Sequence, residues 1–290
     1  MPSPTPQALA ERAIRKVADS LQRGDRREAV RLYLQMLAHE NAPPEAAEPD
    51  WVINAIGKET TGELVSAMAS FPCFACQRGI EPCGACGQSG MIAAEKVCVA
   101  CMGLGLARCD FCNGAGLATY NLLPLQFRPA VARRRAARAV AALEKLVAAL
   151  NADTPLTGDD LELIHAINRP LGAMENAILI ARALAREGFR SEQWVGQIAD
   201  SCFESAAHAE QPLRQVLRRL AAQQSQRAAE AGAVAADDAI AKAEFLEQLA
   251  ADPPIRRGTP LYHPVLMPTS VAPAETPGAS NDSTPPPAQA

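Results

Sequence analysis

Apolar residues recur every three to four positions over most of this chain, and that period predicts helices. Ile14, Val17, Ala18 and Leu21 fall at i, i+3, i+4 and i+7, one stripe of an amphipathic helix beginning near Gln7. Gly24-Asp25 breaks it, and Asp25 is placed to cap a second helix with the stripe Val30, Tyr33, Leu34 and Leu37. Pro43-Pro44 ends this hairpin, and one further helix is expected over residues 51–69. The helical period returns at Pro129, a residue suited to a first helical turn, with Val140, Leu143, Val147 and Leu150 on one face. Asp159-Asp160 should open a short helix that stops near Pro170. Separate helices are then expected over 171–187, over 191–209, and from Pro212 onward with Leu213, Val216, Leu217 and Leu220 aligned.

Between residues 71 and 120 the period disappears and cysteines take its place. They form four CxxC pairs: Cys73/Cys76, Cys83/Cys86, Cys98/Cys101 and Cys109/Cys112. Two intervening residues let one tight turn present both sulfurs to one ion, so eight such cysteines read as ligands for two tetrahedral Zn²⁺ ions, each held by four thiolates. The last two pairs extend to CxxCxGxG, as Cys98 to Gly105 and Cys109 to Gly116. Glycines just past the second cysteine permit φ > 0, which folds the chain back around a metal. Backbone N–H groups in that turn can point at the sulfurs and spread their charge. The opening residues MPSPTPQALAERAIRKV lack a secretory apolar stretch, so a disulfide framework is not expected. A redox CxxC normally occurs once, not four times in forty residues. Four-cysteine sites are closed, so the metal is expected to be structural rather than catalytic.

The repeated CxxCxGxG pattern resembles the cysteine-rich zinc region of DnaJ-type co-chaperones. The resemblance covers about fifty of the 290 residues. It implies β-hairpins and nested pairing: Cys73, Cys76, Cys109 and Cys112 on one zinc, Cys83, Cys86, Cys98 and Cys101 on the other. Residues 87–97 could form the hairpin that joins the inner pairs. The first repeats depart from the pattern, reading CFACQRG and CGACGQSG. No His-Pro-Asp triplet occurs, so the ATPase-stimulating J-domain is missing. Stand-alone proteins that keep only the zinc region act in the assembly of Rubisco and of photosystems, and this chain resembles that loose group with helical regions added.

The expected fold is therefore mainly α with a small β-hairpin zinc module. A helical N-terminal region (1–70) leads into the two-zinc insert (71–120), a helical C-terminal domain (121–251) and a disordered tail (252–290). Ten of the tail's thirty-nine residues are proline, too many to order a core. Hydrophobic residues make up 48% of the chain but aromatics only 4%, which leaves alanine to dominate the helices. Reduced cysteines imply the cytoplasm, and no apolar run is long enough to span a membrane. Net charge is −4, and the zinc segment is itself neutral, which argues against nucleic acid as its partner. The exception is the stretch 128–145, at +5, with Arg128, Arg133, Arg134, Arg135 and Arg138, which reads as a solvated helix face or as a contact for an acidic partner or RNA. Cys202 lies four and eight residues after Ile198 and Trp194 and reads as a packing thiol. His39, His165, His208 and His263 belong to no catalytic motif.

The expectation for function is non-enzymatic: an ATP-independent, zinc-dependent chaperone or assembly factor for a client protein or complex, with homo-oligomerisation left open. Phe74, Ile80, Met91, Ile92, Val99, Met102, Leu104 and Phe111 would supply the contact surface. Two alternatives are a thiol–disulfide oxidoreductase using a metal-free CxxC, and an RNA-associated adaptor working through the arginine helix.

Overall fold

The computed structural model describes residues 5–89, 91–93, 96–98, 106–109, 111–112, 114–151 and 160–230, with scattered positions from 236 to 251. The tail 252–290, Cys101, Val99, Met102 and Leu104 lie outside the described residues.

The N-terminal hairpin forms as its pattern predicts. Helix α1 (Pro6–Gln22) starts on Thr5, whose hydroxyl accepts from the Ala8 N–H at 3.3 Å. Helix α2 (Arg26–Leu37) starts on Asp25, whose carboxylate accepts from the Glu28 N–H at 3.0 Å. Gly24, at φ +80°, makes the turn between them. The single helix expected over 51–69 is instead two, α3 (Pro49–Ile56) and α4 (Lys58–Ala69). Gly57 separates them at φ +84°, a conformation that a helix cannot contain and that glycine reaches without steric cost.

The C-terminal region corrects the sequence in the opposite sense. Helix α5 (Arg128–Asn151) holds Pro129 in its first turn. Helix α6 (Asp160–Arg186) runs straight through Pro170, and α7 (Glu192–Glu230) through Pro212. Each proline forgoes one backbone hydrogen bond, yet Pro170 and Pro212 are buried, and the packing of the flanking turns offsets the loss. Helices α5, α6 and α7 enclose a core that includes Leu143, Ile167, Leu171, Met174, Ile198, Leu213 and Leu217. Alanines 132, 136, 139, 177 and 181 sit in the same core. Small side chains let helix axes approach closely, so the alanine-rich composition becomes tight helix packing rather than weak burial.

The N-terminal core gathers Ile14, Val17, Tyr33, Val52, Leu64 and Met68, and it is completed from beyond the cysteine segment by Leu123, Phe127 and Val131. The Tyr33 and Phe127 rings meet edge to face at 5.9 Å, and the Tyr33 hydroxyl donates to the Ala46 carbonyl at 3.0 Å. Residues before and after the cysteine segment therefore share one core. Cys202 is fully buried in the C-terminal core, and burial pushes its thiol up to about 12, as suits a packing residue. No helix among the described residues is long and apolar enough to cross a membrane.

Candidate metal centres

The cysteine segment leaves α4 and returns to α5 through two paired chain ends. Phe71 accepts from the Ala118 N–H at 2.8 Å, and the Cys73 N–H donates to Gly116 at 3.0 Å. Further out, β1 (Ile80–Pro82) pairs antiparallel with β4 (Leu106–Arg108). At the far end β2 (Met91–Ala93) pairs antiparallel with β3 (Lys96–Val97).

These pairings bring the outer cysteines together. The sulfurs of Cys73, Cys76, Cys109 and Cys112 all lie within 4.8 Å of one another, and Cys76 and Cys112 are 3.5 Å apart. Tetrahedral Zn–S bonds of about 2.3 Å place thiolates roughly 3.8 Å apart, so this cluster needs only small adjustments to hold such an ion. The inner cysteines Cys83, Cys86 and Cys98 gather likewise, with Cys83 and Cys98 sulfurs 3.9 Å apart. Each group could hold a metal ion. The partition is the nested one, outer pair with outer pair. Strand pair β1–β4 lies between the two groups, since Cys83 follows β1 and Cys109 follows β4, so the centres share a rung.

The glycines do what their spacing suggested. After Cys76, Arg78 and Gly79 take φ +55° and +93°; after Cys112, Gly114 and Gly116 take +76° and +67°. The two turns lie backbone against backbone, and a Cβ on Gly79 would fall 2.1 Å from the Gly114 carbonyl oxygen. Backbone N–H groups of Ala75 and Gly116 donate to the sulfurs of Cys73 and Cys112 at 3.4 and 3.3 Å. We predict that Gly79→Ala, strained in φ and clashing with backbone, destabilises the outer centre by about 3 kcal/mol or more. Faster metal loss to a chelator from that centre would report it, with Gly87→Ala, where a Cβ meets open space, as the milder control.

The electrostatics fit a cation. Burial, and then the neighbouring Cys112, push the Cys76 thiol up; burial takes Cys109 to about 12; burial raises Cys112 against the opposing Gly116 N–H. Four sulfurs held this close have little use as free thiols, and a soft divalent cation satisfies all of them at once.

A residue that sequence reasoning placed on the surface turns out to anchor this centre. Arg135 is 1% exposed. Its guanidinium donates to the carbonyls of Ala69 (3.1 Å), Met68 (3.4 Å) and Ala118 (2.8 Å), and to Oδ1 of Asn176 (2.5 Å). It thus caps the C-terminus of α4, pins the chain leaving the cysteine segment, and ties both to α6. Burial lowers its pKa to about 10, and the charge of Cys112 opposes that fall. On α6, a Cβ on Gly172 would meet Gly114 at 3.1 Å, so the outer centre rests directly on this helix.

Three of the other four arginines in this run are occupied as well. Arg128 lies over the Tyr120 ring at 5.4 Å and Arg133 over Trp194 at 5.7 Å. Arg138 donates to the Ser66 carbonyl at 3.0 Å and to its hydroxyl. Of the apolar residues proposed as a contact surface, Phe74 is 68% exposed, Ile92 58% and Phe111 51%; Met91 is exposed and Ile80 half-buried. Phe74 and Phe111 form an edge-to-face pair at 4.6 Å. Phe111 also lines a cleft of about 600 Å³ with Tyr120, Asn176 and Leu179 of α6.

No family model, no curated protein and no solved structure matches this chain.

Proposed function

We propose that this chain is a non-enzymatic, zinc-dependent protein-binding factor, a chaperone or assembly factor that holds exposed apolar segments of a client. The observation that carries the reading is the Phe74–Phe111 pair on the turns of the outer centre, both rings more than half exposed. Two large rings left in water cost free energy that a fold without a partner would avoid, and exposed apolar groups gathered in one place mark interaction sites. Both rings ride on turns that the cysteine cluster shapes, so metal binding would set their position. Leu179 and Tyr120 extend the apolar surface into the adjoining cleft. We read the metal as Zn²⁺, two per chain, because all-thiolate tetrahedral sets select it, with Cys101 completing the inner set. On this reading the module is the DnaJ-like zinc hairpin module of the sequence, and ATP plays no part.

Two other readings have less to support them. A disulfide oxidoreductase needs a lowered thiol pKa, whereas burial raises Cys76, Cys109 and Cys112. An RNA adaptor needs available arginines, whereas Arg128, Arg133, Arg135 and Arg138 have contacts within the chain.

The test is suppression of light scattering from heat-unfolding citrate synthase, without ATP. Zinc-loaded protein should suppress aggregation. Phe74→Ser/Phe111→Ser should lose most of that effect, with zinc content and melting temperature unchanged because both rings are exposed. Full suppression by the double variant would refute the reading.

A further inference from the structure

We propose a second interaction site, independent of the metal centres: the outer face of the α1–α2 hairpin docks an acidic amphipathic helix of a partner protein. Among the described residues the hairpin is a two-helix layer covered on one side only. Helices α3 and α4 pack against the face that carries Ile14, Val17 and Tyr33. The opposite face is covered by none of the described residues and forms a groove of about 430 Å³, within the range of roughly 300–1,000 Å³ typical of binding sites.

Leu9 (40% exposed), Ala13, Leu32 and Met36 form its floor. From Leu9 to Lys16 it follows α1 for about 10 Å, two helical turns. A groove between two antiparallel helices seats a third helix by its i, i+3, i+4, i+7 residues. Charge then selects the occupant. Arg12 and Lys16 stand on the α1 wall, neither makes an ion pair among the described residues, and no carboxylate lines the groove among those residues. An apolar floor beneath a cationic rim fits a helix with leucines on one face and glutamates beside them. A basic helix would be repelled at the same rim.

The test uses the full zinc-loaded chain and a fluorescein-labelled synthetic helix with Leu at heptad-spaced positions and flanking Glu. A second peptide carries Lys in place of each Glu. Anisotropy should show saturable binding of the Glu peptide, weakened by added salt. Binding should fall about tenfold or more for the Lys peptide and for Arg12→Glu/Lys16→Glu. Leu9→Asp should also lose binding, while its melting temperature, zinc content and citrate synthase protection stay unchanged, which separates this site from the metal module. Three results would each overturn the proposal: no saturable binding, equal binding of both peptides, or a dimer of the free chain that Leu9→Asp dissolves. The last would assign the groove to a second copy.

Discussion

Stripping the metal from the native protein should unfold the segment between Phe71 and Tyr120 while most of the helical circular dichroism survives. All seven α-helices of the described residues lie outside that segment. Among its described residues the strands are two or three residues long, and the buried side chains are mainly the cysteines themselves. Such a segment cannot bury enough apolar area to meet the entropy of ordering its backbone, about 1–2 kcal/mol per residue. Metal binding must therefore supply much of its folding free energy; in zinc-finger peptides a structural zinc is worth about 10–16 kcal/mol. Because β1–β4 spans the two centres, Cys109→Ser should weaken the inner one as well as the outer. Hydrogen exchange should show the effect directly, with protection lost across residues 71–120 and retained in the cores of α5, α6 and α7. Loss of helix in step with metal removal would show instead that the helical cores depend on the centres.

Replacing Arg135 should be the most damaging single change outside the cysteines. Arg135→Met keeps the bulk but leaves the carbonyls of Ala69 and Ala118 and the amide oxygen of Asn176 without this donor, while the Met68 carbonyl keeps the Phe71 N–H at 3.2 Å. Each buried acceptor left unsatisfied costs about 1–3 kcal/mol, and relaxation around the site brings the sum to roughly 3–5 kcal/mol. Arg135→Lys keeps the charge but not the fork that reaches several acceptors at once, so it should recover only part of the loss. The readouts are the midpoint of denaturant unfolding and the rate of zinc transfer to a chelator. Both should worsen together, because the same side chain holds α4, the exit of the cysteine segment and α6. Arg134→Met, at an exposed neighbour, should leave both nearly unchanged.

The parts of the fold that could be read from the sequence were those written in local terms. Helices α1 and α2 follow from their stripes and from Asp25 as a cap, and the cysteine grouping follows from CxxC spacing and the resemblance. Where local signals misled, tertiary packing had overruled them. Pro170 and Pro212 read as breaks but lie in buried helix, while Gly57, one residue in an apolar pattern, divides a helix in two. Arg135 was read as surface charge within an arginine run. Its register said otherwise: Val131, Arg135, Ala139 and Leu143 are spaced by four, so Arg135 falls in the apolar stripe. An arginine in such a stripe must find buried acceptors, and the nearest were carbonyls at a helix end and a chain exit that no local pattern reveals. The groove on α1–α2 was equally hidden, because which side of an amphipathic hairpin is covered depends on elements far along the chain.

We propose that eight cysteines close two metal centres and leave only Cys202 outside them. Elemental analysis of the purified protein, paired with thiol titration before and after denaturation with chelator, tests it most directly. The expected result is two zinc ions per chain, almost no thiol reactive in the native protein since Cys202 is buried, and all nine reactive once unfolded. One zinc or none, with two or more thiols reacting in the native state, would contradict it and leave a CxxC pair open for chemistry.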